Sequence, residues 1–171
     1  MSQFSDDIVK FNGIYKLPIS PVPSLDNLGV DAVTRLEAFQ DILSEEILEI
    51  VPIIQAIKDG AEPLDVLTSL ADLLGDIQVY CASEMAKFGL PLDLVLGAIM
   101  QSNFSKLGAD GNPIYDERGK VQKGPNYWKP EPMIKSILTR ESSPRQIFHV
   151  DTGDITSEQA AQLVANLQAA K

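Results

Sequence analysis

The sequence predicts an all-α fold, a four- to five-helix bundle with a small hairpin or loop excursion, built to assemble as an oligomer. Three observations carry that expectation. Apolar residues recur at steps of three and four through most of residues 6–102, which is the period of a helix with one buried face. The runs close on helix stops, Asp59-Gly60 and Gly89-Leu90-Pro91. The run from Leu36 to Ile57 is apolar well beyond one stripe, because Leu48, Val51 and Ile53 broaden it, and such a helix is covered on several sides.

In order, Asp6 to Tyr15 predicts a short helix with Ile8, Phe11 and Tyr15 at helical spacing. Pro18, Pro21 and Pro23 then favour an extended connection. A long helix follows from Asp31 to Lys58, interrupted by Pro52, which predicts a kink one turn after Glu49 or two helices meeting there. A second long helix starts at Pro63 and runs to Phe88, with a core stripe of Leu64, Leu67, Leu70, Leu74 and Ile77. A more polar strip of Ser69, Asp72, Asp76, Tyr80 and Ser83 lies beside that stripe. Pro91 to Ser102 is the next helix. Beyond Asn103 the chain is turn-rich, and Pro113-Ile114-Tyr115 can pair with Val121-Gln122 as a hairpin. One short helical turn is expected at Met133 to Leu138, and a last helix at Ser157 to Ala170 capped by Thr156 or Ser157. Residues 1–132 thus form the body and 133–171 a C-terminal extension.

Charge narrows the function. A net charge of −10 argues against a nucleic-acid groove, which needs Lys and Arg on phosphates. No stretch is apolar and uncharged for long enough to cross a bilayer. The lone Cys81 permits no internal disulfide, and the start lacks a secretory pattern, both of which fit a cytoplasmic protein.

The chemistry-bearing pattern is Ser44-Glu45-Glu46-Ile47-Leu48-Glu49 read with Asp72-Leu73-Leu74-Gly75-Asp76. Glu45 and Glu49 share a helix face with Glu46 beside them, and Asp72 and Asp76 share another. Antiparallel packing would bring these like charges together, where a cation must sit between them. Lys58 is the only basic residue between Leu36 and Ser83, so a metal is the simplest partner. Oxygen ligands without histidine or thiolate select Mg²⁺, with Mn²⁺ as its substitute. The competing reading is a solvated acidic face. Lys106, Arg118, Lys120, Lys123 and Lys129 cluster after Asn103, either as an exposed loop or with Lys106 and Lys123 on phosphate oxygens. His149 is the only histidine, so no serine or cysteine triad is available.

These residues resemble the all-α nucleoside triphosphate pyrophosphohydrolases, which include MazG-like proteins and phosphoribosyl-ATP pyrophosphohydrolases. The match is Glu45, Glu46, Glu49 and then Asp76. A more specific one to a MazG-like branch is Ser102-Asn103-Phe104-Ser105-Lys106-Leu107, Asp110-Gly111-Asn112-Pro113-Ile114-Tyr115 and Gly119-Lys120-Val121-Gln122-Lys123-Gly124-Pro125-Asn126-Tyr127. Val9-x-Phe11-Asn12-x-x-Tyr15-x-Leu17-Pro18 is similar too, and the likeness covers residues 8–132. The family's second motif would place an acid at Leu73, where this chain has Asp72 one residue earlier. Asn12 stands where relatives carry histidine.

The resemblance implies Mg²⁺-dependent hydrolysis between the α and β phosphates, giving a nucleoside monophosphate and pyrophosphate. It implies a metal set of Glu45, Glu46, Glu49, Asp72 and Asp76, with Glu45 or Glu46 orienting the attacking water. Asn103, Lys106, Lys123 and Tyr127 would meet the substrate, and the protein would form a homodimer or homotetramer. The rival expectations are a non-catalytic helical interaction module that retains the fold, and a hydrolase of another phosphoanhydride.

Overall fold

The computed structural model describes residues 2–26 and 28–141. Within them the protein is all-helical, with six helices and no strand. The helices are α1 (Gln3–Ile14), α2 (Ala32–Leu48), α3 (Ile50–Lys58), α4 (Pro63–Lys87), α5 (Leu92–Phe104) and α6 (Glu131–Glu141). The helix expected at Ser157 to Ala170, its cap at Thr156, and His149 lie outside the described residues.

α4 is the hub, since α1, α2, α3 and α5 all pack on it while α6 packs on α5. It begins with Pro63 at its first position, where a missing N–H costs nothing. Asp31 caps α2, its Oδ1 accepting from the Val33 and Thr34 N–H groups at 3.0 Å. The break between α2 and α3 falls at Glu49, whose N–H turns back to the carbonyls of Glu46 and Ile47. The cause is Pro52. A proline ring collides with the carbonyl four residues back, so the chain restarts its helix and Pro52 becomes the third residue of α3, where no N–H is needed.

The buried apolar core is small and centred on α1, α4 and α5: Ile8, Ala82 and Leu92, with Val79, Met85 and Ala86 against it. Burial of polar groups locks the helices in register. Asn12 is fully buried (0 % exposed). Its side-chain amide donates to the Ser83 carbonyl at 3.2 Å and its oxygen accepts from the Ser83 hydroxyl at 2.7 Å, tying α1 to α4. Glu84 accepts from Arg35 Nε and from Lys87 Nζ, both at 2.8 Å, tying α2 to α4. These pairings run antiparallel, because Arg35 near the start of α2 meets Glu84 near the end of α4.

The proline-rich segment, expected to be extended, forms neither helix nor strand and bends at residues 21–23. Ser20 N–H donates to the Ala86 carbonyl and Ser24 N–H to the Phe88 carbonyl, so it straps the end of α4. Gly89 turns the chain there with φ +66, and a Cβ on it would collide with the Val22 carbonyl, so only glycine fits. The expected hairpin reduces to a single antiparallel bridge, Tyr115 with Val121. Asp116 organises its turn by accepting from the N–H groups of Arg118 and Lys120. The short helical turn expected at Met133 to Leu138 is the full helix α6, which packs on α5.

Candidate functional site

The antiparallel seam of α2–α3 against α4 brings the acidic pattern together, though as a ladder and not at one spot. Glu46 is half-buried, whereas Glu45, Glu49, Asp72 and Asp76 are exposed. The centre of the upper part is the Tyr80 hydroxyl. Partial burial first, then the neighbouring Glu46 carboxylate, then the charges of Asp76 and Glu49, all push its pKa above the ordinary tyrosine value. Three carboxylates from two segments therefore share one field. One turn lower, Glu49 and Asp72 line a cleft of about 630 Å³ with Pro52, Ile53, Asp65 and Ser69. Glu49 belongs to both parts, because the break imposed by Pro52 places it at the junction.

Glu45 is exposed and makes no hydrogen bond or ion pair with the described residues. Leu73, where the resembled family carries an acid, is only 4 % exposed, so a carboxylate there would be buried. Asp72, its neighbour, instead faces the cleft. The sequence reading placed Tyr80 on the polar strip without a role. Its spacing of four from Asp76 was the available signal.

No three acidic, histidine or cysteine side chains among the described residues stand close enough to close a metal cage. Mg²⁺ does not require one: it commonly takes one or two carboxylates and completes its shell with water and substrate phosphate. A pair drawn from Glu46, Glu49 and Asp76 fits that chemistry, and no basic side chain of the described residues is ion-paired to any of the three.

The basic loop is built around the end of α5. Lys106 Nζ donates to Asn103 Oδ1 at 2.7 Å, and Lys123 Nζ lies over the Tyr127 ring at 4.5 Å. Gly124 N–H donates to the Lys106 carbonyl, which joins the backbone after Lys123 to that of Lys106. Ser102 and Ser105 clamp the far end by hydrogen bonds to the Trp128 backbone. Asn103, in the last turn of α5, thus sits beside the loop that carries Lys106, Lys123 and Tyr127. No hydrogen bond, ion pair or ring contact among the described residues connects them to the carboxylates.

A stripe of apolar residues is left uncovered beside the seam. Ile47, Leu48, Val51 and Ile57 on α2–α3, and Leu64, Leu67 and Leu74 on α4, are each more than half exposed. No helix of the described residues is long and apolar enough to cross a membrane.

No protein-family model matches the chain, and no curated protein matches it. Among solved structures, a crystal structure of a provisionally assigned NTP pyrophosphohydrolase from Exiguobacterium sp. 255-15 aligns with 82% of this chain and 96% of its own. Its TM-score is 0.44 and the identity 23%. A likeness at that level carries no argument about what this chain does.

Proposed function

We propose that the protein is a Mg²⁺-dependent hydrolase of nucleoside triphosphates that releases pyrophosphate and a nucleoside monophosphate, with Mn²⁺ able to replace Mg²⁺. The observation that carries this reading is the shared field of Glu46, Glu49 and Asp76 around Tyr80, with none of the three ion-paired to a basic side chain of the described residues. Glu46, Glu49 and Asp76 would hold the ion, with Asp72 and Glu45 at its margins. A bound Mg²⁺ would neutralise charge on the phosphate oxygens. Glu46, the half-buried acid, is best placed to orient a water and take its proton, with Glu45 the other candidate. Tyr80, kept protonated by its neighbours, can donate a hydrogen bond to a phosphate or water oxygen. Asn103, Lys106, Lys123 and Tyr127 would receive the nucleotide, the lysines on phosphate and the tyrosine ring under the base. The uncovered stripe on α2–α3 and α4 supports a homodimer or homotetramer, which would also let one subunit's loop approach another's carboxylates.

The test is pyrophosphate release from a panel of canonical and damaged nucleoside triphosphates with Mg²⁺, comparing the parent with Glu46→Gln and Asp76→Asn. Release that falls at least about 100-fold in both variants supports the reading. Absence of release from every nucleotide, with no Mg²⁺-linked thermal shift, would sink it in favour of a non-catalytic module. Release from the parent that both substitutions leave intact would sink the site.

A further inference from the structure

The cleft of about 630 Å³ between α3 and the first half of α4 has the size of a small-molecule pocket. Pro52, Ile53, Ala56, Ala61 and Val66 give it an apolar lining, and its polar side chains are Glu49, Asp65, Ser69 and Asp72. Asp65, Ser69 and Asp72 follow one another at steps of four and three, so they share one face of α4. Asp76 continues that face toward Tyr80 and the proposed ion.

The hydrogen-bonding character of this lining is one-sided. Its three carboxylates, when ionised, only accept, and none of them is ion-paired among the described residues. The Ser69 hydroxyl is the single side-chain donor of the lining, and it donates to the Asp65 carbonyl at 3.2 Å, which leaves its lone pairs for the cleft. The first turn of a helix ordinarily offers free N–H groups. Here those of Asp65 and Val66 both donate to the Glu62 carbonyl, and that of Ala61 donates to the Ala56 carbonyl. Pro52 has no N–H at all. A neutral ligand in this cleft must therefore bring an apolar body and its own donors.

A nucleobase does both, and the bases differ in what their edges offer. Guanine carries two adjacent donors, N1–H and the N2 amino group, which match the two oxygens of one carboxylate as a guanidinium does. Adenine and cytosine set one amino group beside an acceptor, and uracil sets one N–H between two carbonyls, so each would leave an acceptor facing a carboxylate. Position agrees with this chemistry. Asp65 precedes Asp76 by eleven residues, about 16 Å along the helix axis, which spans an ion, one nucleoside monophosphate unit and a hydrogen bond to its base. Asp72, one turn from Asp76, lies nearer the phosphates, which leaves Asp65 for the base edge.

We infer that this cleft is the base pocket and that it selects guanine nucleotides, with Asp65 accepting from N1–H and the N2 amino group. The inference rests on the reading of the seam as a nucleoside triphosphate hydrolase site and adds which base that site prefers. The Tyr127 ring keeps its proposed place on the face of the base whose edge Asp65 reads.

The test measures pyrophosphate release by the full chain with Mg²⁺ from guanosine and inosine triphosphates, which differ only in the N2 amino group. The kcat/KM should be at least about tenfold higher for the guanosine compound. Asp65→Ala, at an exposed position outside the proposed ion ligands, should bring guanosine triphosphate down to the inosine level and leave the inosine compound within about twofold of the parent. Calorimetric binding of guanosine and inosine monophosphates, which needs no turnover, should show the same preference and its loss in Asp65→Ala. That preference in binding with no release from any nucleotide would keep the pocket and sink the hydrolase reading. Release at equal rates from the two compounds, or a guanosine preference that survives Asp65→Ala, would overturn the base pocket alone. Neither binding nor release would overturn both.

Discussion

The strongest stability prediction concerns Glu84. Its carboxylate is buried and accepts two charge-assisted bonds of 2.8 Å, from Arg35 of α2 and from Lys87 one turn along α4. Both cations are largely buried, and Arg35 Nη2 already lacks a hydrogen-bond partner among the described residues. Among the described residues the cluster therefore holds two positive groups for one negative group, with no acceptor for Arg35 Nη2. Glu84→Gln keeps the shape but leaves two buried cations against a neutral amide. Removing one partner of a buried pair costs about 3–5 kcal/mol. For a chain of this size that corresponds to a fall in Tm of roughly 6–20 °C. Urea unfolding at pH 7 should show a lower midpoint with an unchanged slope. The control is the triple change Arg35→Met, Glu84→Met and Lys87→Met, which removes all three charges and should recover most of the loss. A Glu84→Gln cost below about 1 kcal/mol, or a triple variant no more stable than Glu84→Gln, would refute the reasoning that charge burial, not shape, is what the cluster resolves. Glu84 also ties α2 to α4, so on the proposed function Glu84→Gln should lower pyrophosphate release along with stability.

Asn12→Ala should cost about 1–3 kcal/mol in the same unfolding assay, since it leaves the Ser83 hydroxyl and carbonyl buried without their partner. Gly124→Ala should destabilise the basic loop by about 1–3 kcal/mol, because its Cβ would overlap the Leu107 carbonyl, and exchange of the Gly124 amide should accelerate while helical circular dichroism holds. The Asp31 carboxyl is held below its ordinary pKa by the Thr34 hydroxyl, then by the Thr34 and Val33 N–H groups. Its contribution is thus present above the ordinary carboxylate value and lost as pH falls through the lowered one. Asp31→Ala should lower Tm at pH 7 and flatten the fall of Tm on acidification.

Much of the architecture was legible because helices are written locally. Apolar steps of three and four, Pro63 at a helix start and Gly89 before Pro91 identified α4 and its end within a residue, and Asp31 marked the start of α2. Pro52 announced a break, but not its position. The ring acts on the carbonyl four residues earlier, so the break lies at Glu49, before the proline. The helix α6 was undercounted as one turn, since Met133, Ile137 and Leu138 make too short a stripe to distinguish a helix from a bend. The hairpin was overcounted, because two short segments flanking a turn can stop at one bridge.

The candidate site divides the same way. That Glu45, Glu46, Glu49, Asp72 and Asp76 form an acidic pattern without basic neighbours is a property of the sequence alone, because spacing on a helix decides which side chains share a face. Which of them face one another is not. Only the antiparallel seam, registered by Arg35 with Glu84, put Glu46, Glu49 and Asp76 around Tyr80, placed Asp72 one turn lower in the cleft and left Glu45 to solvent. The same packing left Ile47, Leu48 and Val51 bare, while Leu73 of α4 is buried and α1 packed on α4 buries Asn12 against Ser83. Helical periodicity is set by bonds between near neighbours, whereas the meeting of two helices depends on contacts between residues far apart in the chain, and no local pattern records them.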